Sequence, residues 1–143
     1  DIDLATADIV YPSDQNYEYQ CLVTGETLHL KSYSIESVVA EKMQTFLVRG
    51  ALNSRAKDLY DLYVLAKLVE KNDDTLTTAF KETCRCRKFE IDEDKAMKTF
   101  ESVSLSPMQR KVWESFSRKT SYAKEISFDE VLVTIGRLIK IIF

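Results

Sequence analysis

The chain has few of the residues that interrupt helices or cross-link small folds. Its 143 residues include three glycines, two prolines, three cysteines and one histidine. The scarcity of glycine and proline argues against long flexible linkers and favours helices. The three cysteines, Cys21, Cys84 and Cys86, are odd in number and follow no framework spacing, which is typical of a reducing compartment.

The lack of basic charge, of regularly spaced metal ligands and of long apolar runs argues against several classes of function. The net charge of −3 provides no overall basic field for nucleic acid, and no recognition helix stands out, so a DNA-binding domain is disfavoured. A zinc site would need four regularly spaced ligands, but His29 lies far from Cys84-Arg-Cys86, which we expect to be two helix cysteines, at least one partly exposed. We find no signal peptide and no apolar run that could span a bilayer, so we expect a cytoplasmic protein without a membrane partner. The first residue is Asp1 rather than methionine, which we interpret as processing or truncation of the N-terminus.

Alternating apolar and polar residues predict β-structure in residues 1–33. A first strand is predicted within residues 1–11, and two further strands are predicted at 17–23 and 27–32. A short turn containing glycine joins the last two strands, so they should form a hairpin. Three strands make a poor fold, which indicates either the remaining part of a larger sheet or a small sheet covered by helices.

Helical periodicity predicts a mainly α-helical bundle in residues 34–143, so the fold class is α+β. Ser34 should cap a helix that Gly50 ends, and a second helix should begin near Asn53 or Ser54. Further caps are predicted at Asp73 or Asp74, at Asp92, and in two capping boxes, Ser106-Pro-Met-Gln and Ser127-Phe-Asp-Glu. The helix after Asp92 should face inward through Ala96, Met97 and Phe100. The last helix is the most apolar and should form the core.

The first two of these helices carry an unusual set of charges. Lys42 falls inside an apolar stripe, so its ammonium must either extend to solvent or find an anion. Asp58 and Asp61 share one helix face and repel each other unless cations or a metal lie nearby, and Arg55 and Lys57 could supply those cations. The alternative is a solvated surface with weak ion pairs. If the apolar stripes of the two helices pack together, Lys42 should lie within about 10 Å of both carboxylates.

These residues also carry a resemblance. The sequence Ser-Ile-Glu-Ser-Val-Val-Ala-Glu-Lys, ending at Lys42, is followed by Arg55-Ala-Lys57-Asp58-Leu-Tyr-Asp61. The combination resembles the AbiEii/AbiGii family of abortive-infection nucleotidyltransferase toxins, in which an A-E-K helix leads into an R-x-K-D-x-x-D helix. The resemblance extends back to Asp1 and loosely to the C-terminus.

The resemblance implies transfer of a nucleotide from a nucleoside triphosphate to an acceptor, with RNA as a candidate acceptor and Mg²⁺ as cofactor. It also implies the toxin of a bacterial toxin–antitoxin system in phage defence, with a cognate antitoxin as a candidate partner. The wider superfamily has a Gly-Ser element before an Asp-x-Asp pair. This chain contains no Gly-Ser, and nothing precedes Asp1-Ile-Asp3. We therefore expect a C-terminal portion, with residues 1–33 from the end of the catalytic sheet, that is inactive by itself.

By the same resemblance, Asp3 is the third metal-binding carboxylate, with Asp1 as a substitute. Lys42 would contact the triphosphate or anchor Asp58, and Asp58 would meet metal, nucleotide or Lys42. The remaining candidate nucleotide-binding residues, near the same pocket, are Arg55, Lys57 and Asp61. The alternative for Asp3 is a solvated aspartate at a strand edge. The alternative for the whole chain is a non-catalytic helical interaction module in which the Lys/Asp cluster is a structural ion-pair network.

Overall fold

A computed structural model describes residues 11–12, 15–69 and 74–143. Within these residues, two antiparallel strands precede six α-helices, which confirms the predicted α+β class with a mainly helical C-terminal region. The strands are β1 (Gln15–Gln20) and β2 (Thr27–Ser32), and the helices are α1 (Ile35–Arg49), α2 (Ala56–Leu65), α3 (Asp74–Cys86), α4 (Glu93–Ser104), α5 (Pro107–Lys119) and α6 (Phe128–Ile142). Two short 3₁₀ turns lie at Gly50–Leu52 and Ser121–Ala123.

The predicted hairpin is confirmed, but its first strand is shifted. β1 begins at Gln15, inside the predicted loop, and ends at Gln20, because the chain turns back early. The Cys21 N–H donates to the Glu26 carbonyl at 2.9 Å, and the Gly25 N–H donates to the Cys21 carbonyl at 2.8 Å. Gly25 has φ +73°, which favours glycine. The predicted first strand lies almost wholly outside the described residues.

One face of the hairpin is apolar and open. Tyr17 pairs with Leu30, and Tyr19 pairs with Leu28, so all four side chains point to the same side. Their exposed fractions run from 42% to 55%. The described helices therefore do not cover this face, which disfavours the interpretation of a small sheet buried under them.

The last helix forms the centre of the bundle, as its apolar sequence predicts. Ile135, Leu138 and Ile139 of α6 are fully buried, and α6 packs against α2, α3, α4 and α5. The predicted capping box is present, since Ser127 Oγ accepts from the Glu130 N–H and the Glu130 carboxylate accepts from the Ser127 N–H.

The helix hairpin that carries the charged residues begins and turns as expected. Ser34 caps α1, and Gly50 ends it with φ +50°. α2 starts two or more residues later than predicted, at Ala56, because Gly50–Leu52 forms a 3₁₀ turn and the Asn53 side chain accepts from the Arg55 N–H. This compact turn sets α1 and α2 side by side.

Two details of the bundle differ from the sequence prediction. Met97 was expected to face inward but is 39% exposed, because α4 packs through Ala96, Phe100 and Val103. Ser106 does cap α5, but Gln109 does not complete the capping box: its side chain is buried and contacts the α1–α2 turn instead. The cysteines are as predicted, with Cys84 buried and Cys86 exposed.

Candidate functional site

The α1–α2 hairpin brings three of the predicted site residues into direct contact. Lys42 Nζ, from the middle of α1, donates to Asp58 Oδ1 at 3.0 Å and to Asp61 Oδ2 at 2.7 Å. The predicted convergence of these side chains is confirmed. Asp58 and Asp61 lie three residues apart on one face of α2, and a single ammonium bridges them. The sequence predicted that the Lys42 ammonium would either extend to solvent or pair with an anion, and the structure shows that it pairs with two carboxylates.

This cluster is largely withdrawn from water. The Asp58 side chain is 7% exposed, and those of Lys42 and Asp61 are each 24% exposed. Burial acting by itself would lower the pKa of Lys42, but hydrogen bonds and charge from Asp61 and Asp58 outweigh it, so the pKa is raised. The ammonium is therefore charged at neutral pH, and its orientation is fixed by two acceptors.

Arg55 completes the charge balance around Asp58. Its Nε lies 3.0 Å from Asp58 Oδ2, yet that oxygen is buried and receives no aligned hydrogen bond from the described residues. The contact is therefore one of charge rather than of hydrogen-bond geometry. It leaves a buried carboxylate oxygen with acceptor capacity beside the ammonium of Lys42.

A cleft of about 170 Å³ opens beside this cluster. Arg87, which directly follows α3, also lines this cleft; its Nη2 lies 3.5 Å from Glu41 Oε2, and its Nη1 donates to Gln44 at 2.9 Å. The predicted site did not include Arg87, because its contact with Gln44 joins residues that are distant in sequence. The cleft is lined by Val38, Glu41, Lys42, Thr45, Arg55, Asp58 and Arg87.

The other predicted site residues are placed elsewhere. Lys57 is exposed and lines a second cleft, between the start of α2 and α5, which has a volume of about 460 Å³. Arg55 lines both clefts. Asp1 and Asp3 lie outside the described residues.

Gln109 is the residue that sequence reasoning missed most clearly. Its side-chain amide donates to the carbonyls of Ala51 and Asn53, both at 2.7 Å, and it is 1% exposed. It thereby ties α5 to the turn that sets Lys42 opposite Asp58. The helix-cap pattern of the sequence concealed this role.

Replacing Gln109 with leucine should lower the free energy of unfolding by about 2 kcal/mol, because two carbonyls at the turn lose their donor. The neighbouring Met108, 65% exposed, provides a matched control, and Met108→Leu should have almost no effect. Urea titrations of both variants make the measurement. Equal midpoints for the two would show that Gln109 does not hold the turn.

Comparison with protein families gives a match that covers nearly the whole chain. The model of the family described as nucleotidyl transferase AbiEii toxin, type IV toxin–antitoxin system, matches residues 1–134. The chain belongs to this family. No curated protein and no solved structure matches it.

Membership in the AbiEii family confirms the resemblance seen in the sequence, and it implies the general type of substrate and partner. The AbiEii family consists of nucleotidyl transferase toxins of toxin–antitoxin systems, which implies a nucleoside triphosphate substrate and an antitoxin partner. Within the described part of the chain, no helix is long and apolar enough to cross a membrane.

An AbiEii nucleotidyl transferase is also expected to use a divalent metal, and the described side chains do not fit one. No three of their histidine, cysteine, aspartate or glutamate groups are placed to hold an ion. Mg²⁺ prefers several oxygen ligands, but one oxygen each of Asp58 and Asp61 is already bound to Lys42. Among the described residues, the Lys42 cluster therefore forms an ion-pair network rather than a metal site.

Proposed function

We propose that the Lys42 cleft is the phosphate-contacting part of a nucleotidyltransferase site. The observation that carries the proposal is the Lys42 ammonium, held between Asp58 and Asp61 at the side of a cleft that two arginines also line. An exposed lysine would have to lose its conformational freedom on binding phosphate. Lys42 has already lost it, so its charge is preorganised.

The proposal gives each residue a role that the geometry supports. A lysine ammonium has three N–H donors, and the two carboxylates take two of them, which leaves one for a phosphate oxygen. Negative charge that develops on the triphosphate during transfer would be stabilised there and by Arg55. Asp58 would orient both cations, because its two oxygens face Lys42 and Arg55. Asp61 would hold Lys42 from the other side.

The remaining parts of the site would come from elsewhere. A cleft of about 170 Å³ is smaller than the roughly 300–1,000 Å³ typical of small-molecule sites, so it suits a phosphate group rather than a whole nucleotide. We propose that Asp3, with Asp1 as a substitute, binds Mg²⁺, and that residues 1–33 belong to a catalytic sheet while 34–143 form the helical domain. Activity would further need the Gly-Ser and Asp-x-Asp elements of the superfamily.

The test is nucleotide transfer from labelled triphosphates to RNA in the presence of Mg²⁺. The full-length gene product should transfer label, and the 143-residue chain by itself should not. Absence of transfer by the full-length product with any of the four triphosphates would contradict the proposed activity. Robust transfer by the 143-residue chain would contradict the requirement for further elements. In a cell, the same activity would act as a cytoplasmic toxin in phage defence.

A second candidate function is the non-catalytic interaction module. It is favoured by the charge balance of the cluster, in which Lys42, Arg55 and Arg87 face Glu41, Asp58 and Asp61 at 2.7–3.5 Å. A partly buried network with balanced charges can serve the fold without any ligand. The two functions predict different effects of removing the Asp58 carboxylate. The catalytic function predicts mainly a loss of nucleotide transfer, and the structural network predicts mainly a loss of stability.

A further inference from the structure

The second cleft has a different chemistry from the Lys42 cleft. It runs between the start of α2 and the middle of α5 and has a volume of about 460 Å³. Three cations line it, Arg55, Lys57 and Lys119, together with Ser115 and Phe116. Among the residues that the structure describes, no carboxylate lines it. In a chain with a net charge of −3, this is a local reversal of sign.

The charges of the two lysines in this cleft are also not neutralised by carboxylates of the described residues. In the described part of the chain, neither Lys57 nor Lys119 has a carboxylate within 4 Å, in contrast to Lys42 with its two. Both side chains are exposed, so they can meet a large ligand. A cleft with cations alone suits phosphodiester groups, whose single charges need no metal.

An aromatic ring provides a second element of recognition. Phe116 is half-buried and lines the cleft, and its ring centroid lies 5.7 Å from that of Trp113 and 6.2 Å from that of Tyr60. Trp113 is fully buried, and its Nε1 donates to the Ile126 carbonyl at 3.0 Å, so the ring behind Phe116 is fixed. A ring held in this way beside cations can stack on an unpaired base.

We propose that this cleft binds the phosphodiester backbone of a single-stranded nucleic acid, the acceptor of the transfer reaction. Arg55 lines both clefts, so a strand in the second cleft would lead its end toward the phosphate held by Lys42. The proposal rests on the proposed function for the identity of the bound strand as acceptor. It assigns Lys57 to the acceptor rather than to the nucleotide.

The test is fluorescence anisotropy of a labelled single-stranded RNA of about 12 nucleotides, a length that a single small domain commonly binds. The 143-residue chain is compared with the double variant Lys57→Gln/Lys119→Gln and with the control Lys98→Gln/Lys140→Gln, which removes two exposed lysines from α4 and α6. Loss of two phosphate contacts should weaken binding about tenfold and reduce the slope of log affinity against log salt by about 1.4. The control should match the unmodified chain.

Three results would overturn the proposal. They are no RNA binding by the unmodified chain at low salt, equal losses in the two double variants, or loss of Mg²⁺–ATP binding instead of RNA binding in the Lys57/Lys119 variant. Far-UV circular dichroism should show an unchanged fold, because both lysines are exposed. If the protein binds RNA but has no transferase activity, the proposed function is contradicted while the proposed RNA binding by this cleft still stands. The two proposals can therefore be contradicted independently.

Discussion

Substitution of Asp58 by asparagine is expected to reduce nucleotide transfer by about 100-fold or more while costing only about 1 kcal/mol of stability. Asparagine has nearly the same shape as aspartate but no charge, so it cannot orient both cations. The fold should tolerate the change, because Lys42 keeps its 2.7 Å contact with Asp61. Arg55, whose side chain is 58% exposed, can return to water.

The measurement pairs the rate of transfer by the full-length product with a urea titration. Asp129→Asn is the matched control, because it removes a carboxylate that binds Arg110 at 2.8 Å on the exposed surface. It should change neither quantity. An Asp58→Asn protein that transfers nucleotide at the normal rate but unfolds about 3 kcal/mol more easily would support the structural network and exclude the catalytic role.

Replacement of Lys42 by methionine is expected to lower the free energy of unfolding by about 3 kcal/mol. The methionine keeps the apolar part of the lysine side chain, but it leaves the carboxylate of Asp58, 7% exposed, without its ammonium partner and next to Asp61. Two neighbouring carboxylates without their shared ammonium repel each other, and only Arg55 remains to neutralise the buried one. The double variant Lys42→Met/Asp58→Asn should recover more than half of the loss, because it removes the stranded charge.

Two controls accompany this prediction: substitution of a surface lysine, and the pH dependence of the stability difference. Lys98→Met, at an exposed position of α4, should change stability by less than about 0.5 kcal/mol. The pKa of Lys42 is raised on folding, so its contribution is complete below its ordinary pKa of 10.5 and is lost as pH rises through the folded value. The difference between the unmodified chain and Lys42→Met should therefore narrow above about pH 10.5. A constant difference up to pH 12 would contradict the paired ammonium.

The parts of the site that sequence could predict are those encoded by local pattern. Ser34 and Gly50 bound α1, and an apolar stripe on each helix makes α1 and α2 pack. Lys42 and Asp58 flank that seam, so their convergence follows from periodicity. Local pattern also predicted the β-hairpin and the core position of α6.

The rest depends on contacts between residues distant in sequence, for which the sequence has no local signal. Gln109 reaches the α1–α2 turn from α5, and Arg87 reaches Gln44 and Glu41 from the end of α3. The contacts also change how Lys42 must be tested. A change in the stability of Lys42→Met cannot by itself separate a catalytic from a structural role, because Lys42 bridges two carboxylates. The structure shows that this variant should lose stability in either case, so Asp58→Asn is the better discriminator.

The most direct test of the central claim asks whether a nucleoside triphosphate reaches Lys42. In the full-length product with ¹⁵N-labelled lysine, the Nζ resonance of Lys42 can be followed by NMR while Mg²⁺ and a triphosphate are added. Because two carboxylates hold this ammonium, its protons should exchange slowly enough to be observed. We predict a saturable shift of the Lys42 resonance larger than that of exposed Lys98, and a similar shift with inorganic tripolyphosphate. A Lys42 resonance that stays unchanged while the nucleotide binds would contradict the account.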